Sequence, residues 1–236
     1  MRVVLATEAG TAGWPNEDFA AAAAGAAVLL DGCTTVPRDR DTGCRHGVAW
    51  YARTLGGLLL GEISAEPGIP LAAALAAAIG TVRARHEGSC DLRNPATPAA
   101  TVLAIRAGQT GLDVLALSDS VVVADYGAGR DPVVITDTHR PAAAAPEAAA
   151  QARTERLPAA GLRAIALLSD GATRIVDQYH LINWRGLLSV LADGGPGELI
   201  GRVRAAEASD PDGTRWPRSK RSDDATIVYW HQPTSL

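Results

Sequence analysis

Between Ala100 and Thr136 the chain breaks into four short runs rich in Val, Leu and Ile: Ala100 to Arg106, Asp113 to Leu117, Val121 to Asp125 and Pro132 to Thr136. Brief turns containing Gly, Asp or Gln separate them. Parallel neighbours need a crossover of about a dozen residues or more, so strands spaced this closely pair antiparallel. A doubly wound nucleotide fold is excluded on the same reading, because no Gly-rich strand-to-helix turn appears.

Around this centre the pattern alternates. Arg2 to Thr7 and Ala24 to Leu30 read as strands, Val48 to Leu60 and Leu71 to His86 as helices separated by Pro67, Gly68 and Pro70. The second helix is alanine-rich and basic at its C-terminal end, where positive charge suits the helix dipole. Farther on, Ala143 to Arg156 reads as a helix between Pro141 and Pro158, and Leu162 to Leu168 as a buried strand. Trp184 to Ala192 and Gly197 to Ala208 read as helices, and Ala225 to Trp230 as a last strand. No linker is long enough to split the chain, so residues 1–236 are expected to form one domain of antiparallel or mixed sheets covered by helices.

The 236 residues, 47% hydrophobic, supply a sizeable core, and a formal charge of −4 without a basic run gives no footprint for nucleic acid. The apolar run Phe19 to Leu30 is too short to cross a bilayer, and the N-terminus lacks signal-peptide regions. A cytoplasmic protein is the expectation. Cys33, Cys44 and Cys90 lack finger spacing and read as reduced, partly buried thiols, and His46 as a surface residue at a helix entry.

Four acidic signatures carry the chemistry: Asn16-Glu17-Asp18, Asp31-Gly32, Ser169-Asp170-Gly171 and Ser222-Asp223-Asp224-Ala225-Thr226. The last three abut apolar runs. Carboxylates at strand ends can converge although distant in sequence, and such a cluster resists joint ionisation unless cations sit among its members. The pattern reads as a metal site.

In order and context these motifs resemble the metal-dependent serine/threonine protein phosphatases of type 2C. The matching elements are Glu17-Asp18, Asp31-Gly32, Ala99-Ala100-Thr101-Val102, Ser118-Asp119-Ser120, Ser169-Asp170-Gly171 and Asp223-Asp224-Ala225-Thr226. The resemblance implies an α+β fold, a four-layer α-β-β-α sandwich of two antiparallel sheets flanked by helix pairs. It implies two Mn²⁺ or Mg²⁺ ions, with Asp31 bridging both, the Gly32 carbonyl on one, and Asp170 and Asp223 on the other. Glu17 and Asp18 would bind metal directly or through water. Oxygen ligation suits these hard cations. A hydroxide shared by the two ions would attack phosphorus, so no side-chain nucleophile is expected, and the partner would be a phosphorylated protein.

The chain departs from the family pattern at three positions. Gly13 stands where an arginine often clamps phosphate. Arg174 stands where an acidic residue often joins Asp119 at a third ion; it is either a substitute clamp or an ordinary surface ion pair. Cys33 replaces a histidine of many eukaryotic relatives. A phosphatase-like binding or regulatory module with little turnover is therefore the alternative reading. Loops Thr34 to Gly43 and Ser209 to Arg221 would set substrate choice.

Overall fold

The structure, a computed structural model, describes residues 2–33, 42–137 and 145–232. Ten strands form two five-stranded antiparallel sheets. In chain order they are β1 (Arg2–Glu8), β2 (Asp18–Ala23), β3 (Ala26–Cys33), β4 (Ala99–Ala107), β5 (Gly111–Leu117), β6 (Val121–Asp125), β7 (Val133–Ile135), β8 (Arg153–Pro158), β9 (Ala164–Leu168) and β10 (Ala225–His231). One sheet has the order β1-β10-β9-β6-β7, the other β2-β3-β4-β5-β8. Among the described residues the α-helices are α1 (Val48–Ala65), α2 (Leu71–His86), α3 (Asp170–Asp177) and α4 (Trp184–Ser209). The sandwich and the antiparallel pairing agree with the expectation.

Three apolar clusters define the layers. Between the sheets, Leu29, Leu103, Ile105 and Val114 of one meet Val122, Ile165, Leu167 and Val228 of the other. On the outer face of the β2–β8 sheet, Val28, Leu30, Val102 and Leu115 pack under Leu55, Leu59, Leu75 and Ile79 of the first helix pair. On the opposite outer face, Val123, Ala166, Leu168 and Ile227 pack under Ile175, Leu187, Leu191 and Leu199 of the second pair. Both faces of each central strand are buried, so β3 and β4 read as near-continuous apolar runs rather than alternating ones. Each such large side chain contributes about 1.5–3 kcal/mol by leaving water.

Several elements differ from the sequence reading. The strand expected over Ala24 to Leu30 is present as β3, but the residues before it form a further strand, β2. The two pair with Asp18 opposite Asp31, and Gly25 turns between them with φ 78°. Ala143 to Arg156 is not a helix. Residues 143 and 144 lie outside the described residues, Pro146–Gln151 is a 3₁₀ turn, and Arg153–Pro158 pairs with β5. Asp170–Asp177 is a helix in a segment to which the sequence reading assigned no element. The last two expected helices are both present within Trp184–Ser209 and are separated, as expected, at Gly195 (φ 77°) just before Pro196.

Candidate metal and phosphate site

The topology brings the acidic signatures to one end of the sandwich. Asp18 opens β2 and faces Asp31 of β3 across an antiparallel register, which sets two carboxylates side by side. β9 and β10 are neighbours, so Asp170, just past β9, lies beside Asp223 and Asp224, just ahead of β10. The two sheets meet here. Asp31 feels the charges of Asp18, Asp170 and Asp223 together, although these residues come from both sheets.

Small residues allow the approach. A Cβ on Gly171 would collide with the Asp224 backbone, and one on Gly32 would lie 2.5 Å from the Glu17 carbonyl oxygen and 2.6 Å from Val48 Cγ1. The Gly32 N–H donates to that same carbonyl at 3.1 Å. Asp224, which the sequence reading quoted without a role, is the organiser: its carboxylate accepts from the Gly10 N–H at 2.8 Å and the Glu17 N–H at 2.7 Å. It thereby ties the start of the Glu17-Asp18 motif to the head of β10. Ser169 Oγ accepts from the Thr226 N–H at 2.9 Å, joining the other two motifs.

The electrostatics are those of crowded, dehydrated carboxylates. Burial raises Asp18 to about 7, with Asp224 and Asp170 adding to the shift while the nearby Thr226 and Ser169 hydroxyls oppose it. Neither Asp18 oxygen has a hydrogen-bond partner of good geometry, and both are buried. Burial, then Asp18, Asp170 and Asp223, push Asp31 well above the carboxylate range. Asp170 is raised by burial and by Asp223, partly offset by Arg174. Buried, orphaned carboxylate oxygens of this kind are costly unless a proton or a cation meets them. A divalent ion fits the orphaned Asp18 oxygens on that ground, and the crowded, raised carboxyls of Asp31 and Asp170 beside them.

Asp223 differs from the other three. Arg174 Nη2 donates to its Oδ2 at 2.8 Å, and Lys220 pairs with its Oδ1. Arg174 is therefore a buried residue of the site, 9% exposed, rather than a surface ion pair, and it also reaches Glu207 at 3.4 Å. Burial alone would lower Lys220, but Asp223, Asp170 and Asp31 hold its ammonium charged. Lys220 is itself half exposed. Its loop is pinned by Asp210, whose carboxylate accepts from the backbone of Thr214, Arg215 and Trp216 and from Arg218. Burial notwithstanding, those donors bring Asp210 down to about 2.

The remaining sequence candidates sort as follows. Glu17 reaches the rim through its main chain, as donor to Asp224 and acceptor from Gly32. Asp119 is exposed at the crossover from β5 to β6, where Ser118 (φ 72°) donates to it at 3.3 Å. Gly13 is exposed with open space around it. Residues 34–41 of the expected substrate loop lie outside the described residues.

Comparison with known proteins bears on the family and the fold. The family profile described as protein phosphatase 2C matches residues 7–194. No curated protein matches the sequence. Among solved structures, the serine/threonine phosphatase PstP/Ppp of Mycobacterium tuberculosis is 18% identical, with 97% of each chain covered and a TM-score of 0.64. Phosphatase Stp1 from Staphylococcus aureus is 12% identical, with 98% of this chain and 95% of that one covered and a TM-score of 0.67. A PstP catalytic domain, 18% identical over 97% of this chain and 96% of its own with a TM-score of 0.61, was solved with two manganese ions. At these identities the structural likeness establishes the fold, while the profile match over most of the chain establishes descent. The chain belongs to the protein phosphatase 2C family, whose members are metal-dependent serine/threonine protein phosphatases.

Proposed function

We propose that this chain hydrolyses phosphoserine and phosphothreonine in protein substrates with two Mn²⁺ or Mg²⁺ ions held among Asp18, Asp31, Gly32, Asp170 and Asp223, with Glu17 at the rim. The observation that carries the reading is the pair of buried, partnerless Asp18 oxygens beside an Asp31 that cannot ionise readily without a cation. When bound, the ions supply a water of lowered pKa as nucleophile and neutralise charge on the phosphoryl oxygens. The protein's own residues do the rest. Asp31, between the Asp18 and Asp170 sides, is the natural shared ligand. Asp224 and Ser169 fix the motifs relative to one another, so the carboxylates need little reorganisation.

Phosphate recognition falls to Lys220. With glycine at position 13, this half-exposed ammonium is the cation that Asp223, Asp170 and Asp31 all act on. Lys220, paired with Asp223 at the lip of the site, would be free to meet a phosphate oxygen if Asp223 served as a metal ligand. Arg174 stays with Asp223 and Glu207 and orients Asp223.

Release of a chromogenic aryl phosphate, and of phosphate from a phosphothreonine peptide, tests the proposal with Mn²⁺ and with EDTA. Turnover with metal and none with chelator is expected. Binding of the phosphopeptide without turnover in Mn²⁺ would instead favour a phosphatase-like binding module, a reading that gains from Asp223 being already neutralised by Arg174 and Lys220.

A further inference from the structure

Two cysteines and two histidines that play no part in the acidic site meet where the first helix pair begins and ends. Cys44 and His46 lie just ahead of α1, His86 is the last residue of α2, and Cys90 follows it. One ligand-type atom from each lies within 4.8 Å of the others. Cys44 Sγ is 3.5 Å from Cys90 Sγ, 3.9 Å from His46 Nδ1 and 3.7 Å from His86 Nε2, and Cys90 Sγ is 3.4 Å from His46 Nδ1. Tetrahedral zinc with bonds of about 2.3 Å to sulfur and about 2.0 Å to nitrogen has ligand-to-ligand edges of about 3.3–3.8 Å. The observed separations fall close to these edges.

The surroundings are also those of a metal site. His86 is fully buried, its Nδ1 has no hydrogen-bond partner, and its Nε2 turns to the cluster. Its ring is stacked with His46 at 5.1 Å and packed on Trp50 at 4.8 Å, which fixes its orientation. Burial opposes ionisation of both thiols, but backbone N–H groups of His46 and Gly47 aim at Cys44, and those of Arg45 and His46 at Cys90. On balance Cys44 stays above the ordinary thiol value, chiefly through burial, while Cys90 falls below it. Burial also keeps the His86 imidazole neutral, the form that donates a lone pair. Two sulfurs and two imidazoles select a borderline-soft ion rather than Mg²⁺ or Mn²⁺.

We propose that Cys44, His46, His86 and Cys90 form a closed structural zinc site, separate from the acidic site, that staples the entry of α1 to the exit of α2. Binding releases the two thiol protons to solvent and leaves no open position for substrate. Through α1 the staple reaches the catalytic end, because Val48 packs at Gly32, next to Asp31.

The test uses the full chain, purified without an affinity tag under reductant, with its metal content measured by mass spectrometry. About one zinc per chain is expected in the wild type and in Asp31→Asn, and about a tenth of that or less in Cys44→Ser and Cys90→Ser. Should those variants fail to fold, cobalt exchanged into the wild-type protein gives an independent readout: a thiolate-to-cobalt charge-transfer band with tetrahedral visible bands. Zinc that survives Cys90→Ser but vanishes in Asp31→Asn would overturn the proposal, since the ion would then sit among the aspartates. So would a wild type that takes up neither zinc nor cobalt, or one isolated with Cys44 and Cys90 joined as a disulfide.

Discussion

Two clusters of polar side chains in this chain are assembled in opposite ways. The acidic cluster draws Asp18, Asp31, Asp170 and Asp223 from both ends of the chain, across two sheets. The thiol–imidazole cluster draws its four residues from positions 44 to 90, around one helix hairpin. The first is complete only when both sheets are folded together, although the β2–β3 hairpin alone already sets Asp18 beside Asp31. The second requires only that α1 and α2 lie side by side. Hard oxygen donors placed where the sheets meet suit an exchangeable, chemically active ion. Soft donors buried beside packed rings suit an ion that stays.

That contrast predicts separable losses. Asp31→Asn removes a shared ligand; because a residue that merely supports a ligand already costs about 10–100-fold, activity should fall by more than about two orders of magnitude. Steady-state kinetics with saturating Mn²⁺ reads this, and the zinc content should not move. Conversely, Cys44→Ser should lower the melting temperature by about 10 °C, measured by calorimetry, while added Mn²⁺ still raises the midpoint. If Asp31→Asn and Cys44→Ser lower zinc content and activity in parallel, the two clusters are one functional unit and the contrast fails.

Arg174→Met probes the acidic side further. It leaves Asp223 and Glu207 short of a buried cation, although Arg204 still pairs with Glu207 at 2.9 Å. The expected cost is about 3 kcal/mol by urea denaturation, with part of it recovered in Mn²⁺. Recovery in Mn²⁺ is the sharper half, because only an ion beside Asp223 replaces the lost charge.

The pH dependence carries a definite sign. Asp18 is raised to about 7 from an ordinary 3.8, chiefly by burial, and Asp31 and Asp170 are raised in the same direction. The folded metal-free protein therefore holds protons that the unfolded chain has lost. The associated stability is complete below about pH 4 and declines as pH rises through about 7. In EDTA the contribution of these carboxylates falls between pH 5 and 8, and Mn²⁺ should offset that fall most at the higher pH. Denaturation midpoints at the two pH values, with and without metal, check this; a metal effect larger at pH 5 would contradict it. Lys220→Ala should produce the smallest effect, a several-fold rise in KM with kcat nearly unchanged and stability altered by less than about 0.5 kcal/mol.

Much of the fold was legible because its signals are local. Val121 to Asp125 and Leu71 to His86 begin and end where periodicity and flanking residues place them. The errors occur where composition hides a boundary. Alanine at positions 20 to 24 masks the hairpin between β2 and β3, which depends on the positive φ of Gly25. Ala143 to Arg156 looks helical by alanine content, yet Arg153 to Pro158 gains more by pairing with the edge of β5. The helix Asp170–Asp177 was not anticipated, since Gly disfavours helix, but the close approach to Asp224 demands Gly in its first turn. The acidic motifs were visible one by one; their meeting is a property of the topology. The roles of Asp224 and Arg174 lay beyond sequence reasoning because their partners are 33 to 214 residues away. Cys44, His46, His86 and Cys90 escaped notice since no finger has that spacing. The clue was there in a different form: two Cys/His pairs bracketing two predicted helices.

Lys220 is the sole lysine of the chain, and it stands half exposed at the lip of the acidic cluster. An amine-directed reagent therefore meets one side-chain target. A fluorophore attached there would report on ion and phosphate occupancy from a single known address, and acetylation at the same nitrogen would remove the one ammonium charge facing those aspartates.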